Sequence, residues 1–313
     1  MRARYLNDTE LAGTRLSILG ENYAEMSGAE VVSEEWVASV IPPRRAGSRK
    51  GENGVVMVVG GSRLYHGAPY LSAMAAMRSG VDLVYLFVPE KIASPIRALS
   101  PSLIVYPLSE VKLTPRVSEQ IIQNTPQVDA AAIGPGLSVS KESALIKLIE
   151  GLIDKGVKLV LDASALQPYI LEAVSGEDVV LTPHAGEFAR VFNRPVKGGL
   201  EERCEAARSE AGEHRVTILL KGQLDIISNG ERVLVNRTGS SAMTVGGTGD
   251  VLTGLTAGLR AKKVGALESA AAAAYINGLC GEMAEQKLGL HILPTDVIEM
   301  MPYVMKRFDR VVD

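Results

Sequence analysis

From Val55 onward, short runs, most of them apolar from end to end, alternate with segments whose apolar residues recur every three or four positions. The apolar runs are Val55–Val59, Leu83–Val88, Ala130–Ile133, Lys158–Leu161, Val179–Leu181 and Thr217–Leu220. A strand with no polar face needs cover on both sides, so these runs predict a mostly parallel central sheet between two helical layers. Helical spacing over Ala68–Ser79, Lys141–Ile153 and Leu200–Glu213 supplies part of that cover. After Lys221 the pattern changes. Asp225–Ser228 and Arg232–Asn236 flank Asn229-Gly230, a two-residue hairpin signal that predicts an antiparallel edge. Beyond Asp250 the sequence reads as helical to its end, with the small residues Ser269 to Ala274 suited to close helix packing. The fold class expected is therefore α/β, a three-layer α/β/α sandwich.

Several classes of function drop out on composition. Acidic residues number 36 against 33 Lys and Arg, so there is no basic excess to suggest a nucleic-acid partner. No apolar run approaches the ~18 residues of a membrane span, and the amino terminus lacks the apolar core of a signal peptide. A cytoplasmic enzyme with no membrane partner is expected. Cys204 and Cys280 are far apart and in no metal-binding spacing, so both read as core thiols. Residues 1–32 are polar and weakly periodic and read as an extension ahead of one domain, 33–313. The stretch Pro42 to Gly51 reads as an extended basic loop, either a solvated arm or subunit contact, or a place where Arg49 and Lys50 approach a phosphate.

Chemistry concentrates in Gly246-Gly247-Thr248-Gly249-Asp250, which opens a helical segment. Backbone N–H groups at such a start, with Gly247, Thr248 and Gly249 around them, form an anion hole favoured by the helix dipole. Asp250 then stands where a carboxylate, kept ionised by that dipole, takes a proton from a hydroxyl during phosphoryl transfer. The plainer reading is an Asp that only caps the helix. Gly60-Gly61-Ser62 with Gly67-Ala68-Pro69 contains no G-x-G-x-x-G, which argues against a dinucleotide fingerprint and for a ligand rim of small residues. Gly134-Pro135-Gly136 is as a lone turn structural, yet it too follows a strand, where open α/β sheets bind ligands. In Thr182-Pro183-His184-Ala185-Gly186-Glu187, His184 and Glu187 share one sheet edge, and Glu187 suits a water-mediated magnesium contact.

Taken together and in this order, these segments resemble the NAD(P)H-hydrate dehydratase family, within the ribokinase-like fold, from about Val32 to Met305. The resemblance implies a substrate, NADHX or NADPHX, whose reduced nicotinamide ring has gained water at C6. ADP or ATP with Mg2+ would phosphorylate the C6 hydroxyl, and loss of phosphate would restore NADH or NADPH. Position by position, Ala68, Gly136, His184 and Asp250 match the hydrate contacts, with Asp250 as base. Lys221, Gly222, Gln223, Leu224, Asp225 and Gly249 match the nucleotide contacts. Ser164 stands where the family commonly has Asp, which leaves its role open, and Arg49 where it has His. The resemblance further implies a homo-oligomer, a tetramer, and reliance on a separate epimerase, since 32 residues leave no room for that domain. Two other readings compete: a sugar or vitamin-precursor kinase of the same fold, and a non-catalytic nucleotide sensor.

Overall fold

The computed structural model describes residues 28–313, so most of the expected extension lies outside the described residues. Twelve strands follow in order: β1 (Glu30–Val31), β2 (Arg44–Arg45), β3 (Val55–Val59), β4 (Leu83–Pro89), β5 (Ile104–Leu108), β6 (Ala130–Ile133), β7 (Lys158–Leu161), β8 (Val179–Leu181), β9 (Thr217–Leu220), β10 (Asp225–Ser228), β11 (Val233–Asn236) and β12 (Val311–Val312). Ten of them form one sheet in the order β1-β11-β10-β9-β8-β7-β6-β3-β4-β5. Pairing is parallel from β5 across to β9 and antiparallel in β9-β10-β11. β1 then adds a parallel strand outside β11, so the sheet takes in residues that the expected boundary at 32 assigned to the extension.

The absence of a polar face has the anticipated consequence. Val56 and Val58 of β3 point into one core with helices Gly67–Arg78, Thr248–Ala261, Ala266–Leu288 and Pro294–Met305. Met57 and Val59 point into the other, with helices Pro115–Asn124, Glu142–Ile153, Ala185–Phe192 and Leu200–His214. Each inner strand thus buries both faces, and the three layers follow. Cys204 and Cys280 are both buried, and burial pushes the Cys280 thiol up to about 12.

Two expectations need correction. The chain is not helical to its end: a single 3-10 turn, Lys306–Phe308, leads into β12, which pairs in parallel with β2. The basic stretch after Pro42 is accordingly not a free extended arm, because Arg44–Arg45 is a strand and the segment beyond turns back into β3.

Helices Gly67–Arg78 and Thr248–Ala261 press backbone to backbone. A Cβ at Gly254 would collide with the Ser72 carbonyl, and one at Gly258 with the Ser79 hydroxyl. Ser72 Oγ also donates to the Asp250 carbonyl at 2.7 Å. This contact brings the first turns of the two helices to one place at the carboxyl ends of the strands.

Candidate active site

In a parallel sheet all carboxyl ends open on one edge, and that is where the chain gathers its polar residues. Gly60-Gly61 leaves β3, Gly134-Pro135-Gly136 leaves β6, Asp162 leaves β7, Thr182 to His184 leave β8, and Lys221 leaves β9. The Gly61 amide donates to the Pro135 carbonyl at 2.8 Å. Gly136 has φ +65°, and a Cβ there would lie 2.6 Å from the Tyr65 carbonyl oxygen and 3.2 Å from the Ala68 methyl. Only glycine fits this turn, and it places Gly136 against Ala68.

Lys221 occupies the floor of the cleft. Its Nζ lies 2.8 Å from Asp162 Oδ1 and 3.8 Å from Glu187 Oε2. The second Asp162 oxygen accepts from Thr253 Oγ1 at 2.6 Å, one helical turn beyond Asp250. Burial works against the ammonium, but the charges of Asp162, Glu187 and Asp250 outweigh it, and the Lys221 pKa is raised. Lys221 is therefore a fixed cation among three carboxylates. A Cβ on Gly249 would sit 3.5 Å from its Nζ, so it also adjoins the glycine-rich turn.

That turn precedes helix Thr248–Ala261, with Gly247 at the N-cap in a left-handed conformation, φ +109°. The cap carries no side-chain hydrogen bond, and Asp250 is the third helical residue, so Asp250 is not a capping Asp. Its carboxyl is not simply kept ionised by the helix dipole either. Burial raises its pKa, the Asp162 charge adds to this, Lys221 pulls it back and Glu187 raises it again, leaving it at about 7. A dipole worth ~0.5 charge at the helix end is outweighed by desolvation and two neighbouring carboxylates. The Thr248 hydroxyl donates back to the Met243 or Val245 carbonyl.

His184 is the N-cap of helix Ala185–Phe192. Its Nδ1 accepts from the Gly186 and Glu187 amides at 3.0 and 3.2 Å, while Glu187 Oε2 accepts from the His184 amide at 2.9 Å. This reciprocal capping box fixes the ring, and with Nδ1 used as an acceptor the neutral imidazole carries its hydrogen on Nε2. The ring is 60% exposed at the mouth of the cleft, and its Nε2 lies 3.6 Å from Glu187 Oε2.

Gly222, Gln223 and Leu224 form the turn after Lys221, and the first two are exposed. Asp225 points inward instead. Its carboxylate accepts from the Gly222 amide at 3.0 Å and from Asn236 Nδ2 at 3.1 Å, and burial raises its pKa. It shapes the turn rather than presenting itself to a ligand. Ser164 lies in the 3-10 turn Ala163–Ala165, and its side chain makes no hydrogen bond to the described residues. Arg49 and Lys50 precede β3, whose five residues put about 16 Å between them and the cleft. They do not approach this phosphate position. Sequence reasoning passed over Asp162 and Thr253. The signal for Asp162 was a lone carboxylate directly after an all-apolar strand, whereas Thr253 sits in a helical apolar stretch and gave none.

Comparison with known proteins places this geometry. Residues 56–303 match the family model described as NAD(P)H-hydrate dehydratase. Over 284 residues the chain is 51% identical to the ADP-dependent (S)-NAD(P)H-hydrate dehydratase of Cenarchaeum symbiosum, covering 90% of this chain and 99% of that one. It is 45% identical to the bifunctional NAD(P)H-hydrate repair enzyme of Pyrobaculum aerophilum, covering 85% of this chain and 53% of that longer protein. Among solved structures, the ADP/ATP-dependent NAD(P)H-hydrate dehydratase of Bacillus subtilis, co-crystallised with ATP/Mg2+, superposes with a TM-score of 0.77 at 28% identity, over 90% of this chain and 99% of that one. The fold is ribokinase-like.

Proposed function

The chain belongs to the NAD(P)H-hydrate dehydratase family, and from that premise we propose how its cleft carries out nucleotide-dependent dehydration of (S)-NADHX and (S)-NADPHX. The observation that carries the reading is the buried carboxyl of Asp250, third in a helix whose glycine-rich start would receive an anion. As the C6 hydroxyl of the hydrate attacks the terminal phosphoryl group of ADP and AMP leaves with the bridging oxygen, Asp250 takes the hydroxyl proton. Amides of Gly247 to Gly249, and the Lys221 ammonium beside them, hold the charge that develops on the transferred phosphoryl oxygens. Phosphate is a far better leaving group than hydroxide, so the ring nitrogen lone pair expels it, and loss of a C5 proton restores the dihydronicotinamide.

The hydrate lies against Ala68 and Gly136, with His184 Nε2 donating to it, while Lys221 to Leu224 border the nucleotide. ADP as the donor is supported by the name of the Cenarchaeum relative. The donor set also fits Mg2+. Both Asp162 oxygens are engaged by Lys221 and Thr253, but one Glu187 oxygen makes no hydrogen bond to the described residues. A hard carboxylate oxygen of this kind suits a hydrated ion held mainly by nucleotide phosphates. Bound there, Mg2+ would supply neutralising charge to those phosphates, and Glu187 would help to hold it through water.

Among the described residues no helix is long and apolar enough to cross a membrane. We further propose a cytoplasmic homotetramer whose reaction is linked to an epimerase, an activity class consistent with the bifunctional name of the Pyrobaculum relative. The direct test incubates the protein with hydrated NADH, Mg2+ and ADP or ATP and follows recovery of the dihydronicotinamide absorbance. A stable phosphorylated product with no recovery would favour a kinase of the same fold instead.

A further inference from the structure

The basic loop that does not reach the cleft lies at the opposite, amino end of the sheet, where it borders a cavity of about 350 Å³. Three helices end on this cavity: Gly67–Arg78, Thr248–Ala261 and Pro294–Met305. Its charged lining is Arg44, Arg78, Lys262, Lys263, Lys306 and Arg310 against Glu52 and Asp309. Six cations face two carboxylates, in a chain whose net charge is −3.

Cations commonly sit at helix carboxyl ends because the dipole there is worth roughly −0.5 charge. The Arg44–Asp82 ion pair takes up one of the four surplus charges and three such ends offset roughly 1.5 more, so about 1.5 positive charges remain uncompensated. Further ion pairing does not remove them. Arg44 pairs with Asp82 at 2.6 Å, but no described carboxylate lies within 4 Å of Arg78, Lys262, Lys263, Lys306 or Arg310. Lys262 is the most telling of these. Its stem is sunk between two helices and its Nζ donates only to the Ser79 carbonyl, at 3.3 Å. Burial pushes its pKa down; Asp309 offsets this in part and the Arg44 guanidinium adds to it. Arg310 reaches across to donate to the Ile41 carbonyl, which fixes the far wall. Pro42, Pro302 and Phe308 give that wall an apolar surface.

Like charges gathered beside an apolar wall form a site that an anion with a small organic body would complete. We propose that this cavity is a second ligand site, separate from the catalytic cleft, that binds a small phosphate-bearing molecule. A phosphate dianion matches the surplus charge, and its oxygens can accept from Lys262 and the Arg310 guanidinium together.

Amide hydrogen exchange with excess inorganic pyrophosphate tests this without reference to turnover. In the wild type, exchange should slow in residues 41–53 and 261–264 as well as in the anion-hole turn 246–250. The exposed pair Lys263→Glu with Lys306→Glu should raise the pyrophosphate concentration needed at the first two segments by roughly tenfold or more. Protection at 246–250 should persist in that variant, which shows that the fold is intact. A second arm with AMP separates the sources: protection at lower concentration than pyrophosphate assigns an organic ester, and the reverse assigns an inorganic anion. Protection confined to 246–250 in the wild type, or unchanged at 41–53 and 261–264 in the variant, would overturn the proposal.

Discussion

Replacing Asp250 by Asn should abolish turnover and at the same time stabilise the protein at alkaline pH. The carboxyl has a pKa of about 7 in the folded chain against 3.8 for an ordinary aspartate. The native state therefore holds this proton more tightly than the unfolded state does. The associated stability is fully present below pH 3.8, falls as pH rises, and is gone above about 7. Integrated over that window, the penalty at pH 8 is at most ~4 kcal/mol, since each pKa unit is worth ~1.36 kcal/mol. Asn cannot ionise and so escapes it. For a chain of this size ~1 kcal/mol corresponds to ~2 °C, so the variant should melt up to ~8 °C higher than wild type at pH 8, with little difference at pH 4. Loss of a general base costs ~10²–10⁴-fold in rate, or ~3–5 kcal/mol of barrier. The assay pairs ligand-free thermal melts at both pH values with turnover on hydrated NADH. Turnover within a few-fold of wild type would refute Asp250 as the base. Equal or lower melting temperature at pH 8 would refute the electrostatic argument.

Lys221→Met leaves Asp162, Glu187 and Asp250 without their cation; breaking a buried pair costs ~3–5 kcal/mol, so chemical denaturation should show a loss of that order, with calorimetry showing weaker ADP binding. His184→Ala should raise the KM for the hydrate, spare that for the nucleotide, and lose ~1 kcal/mol of helix cap; His184→Asn should restore the stability but not the KM. Glu187→Gln keeps a carbonyl acceptor for the His184 amide but removes the charge, so the Mg2+ concentration giving half-maximal rate should rise while the melting temperature changes little. Gly254→Ala forces a methyl against the Ser72 carbonyl, and overpacking of this kind should cost ~1–3 kcal/mol on denaturation and lower kcat by shifting the turn that carries Asp250.

The inner strands were legible because burial on both faces leaves an unbroken apolar run with polar ends; β3, β6, β7, β8 and β9 begin and end where that run does. β5 was not, because Ile104–Leu108 is an edge strand with Pro107 inside it and an exposed Ile104, features that weaken the apolar signal. Helix Glu90–Leu99 was obscured in the same way by Pro95. In the site, residues on one local motif could be found together: His184 and Glu187 are three apart and make a capping box. The Thr253–Asp162 hydrogen bond spans 91 positions, and no spacing rule reaches that far. The charge state of Asp250 also depends on such long-range neighbours, so the sequence supports a carboxylate at a helix start but not its pKa. Arg49 and Lys50 show a third limit. Their composition suggests a phosphate, but only the direction of β3 tells which end of the sheet they occupy.

The pairing of β1 with β11 sets a constraint on how the chain is made. Glu30 meets Leu234 and Val31 meets Val235, so the first described strand has no partner until some two hundred residues have followed it out of the ribosome. At translation rates of ~5–20 residues per second that interval is ~10–40 s. β3 waits likewise for β6, which inserts beside it only after β4 and β5 have been synthesised. The nascent chain thus carries open, apolar strand edges for much of its synthesis, a state in which such edges pair with other chains. Closure of the sheet is a late event, and the cleft, which draws on β9 and the helix after it, can form no earlier.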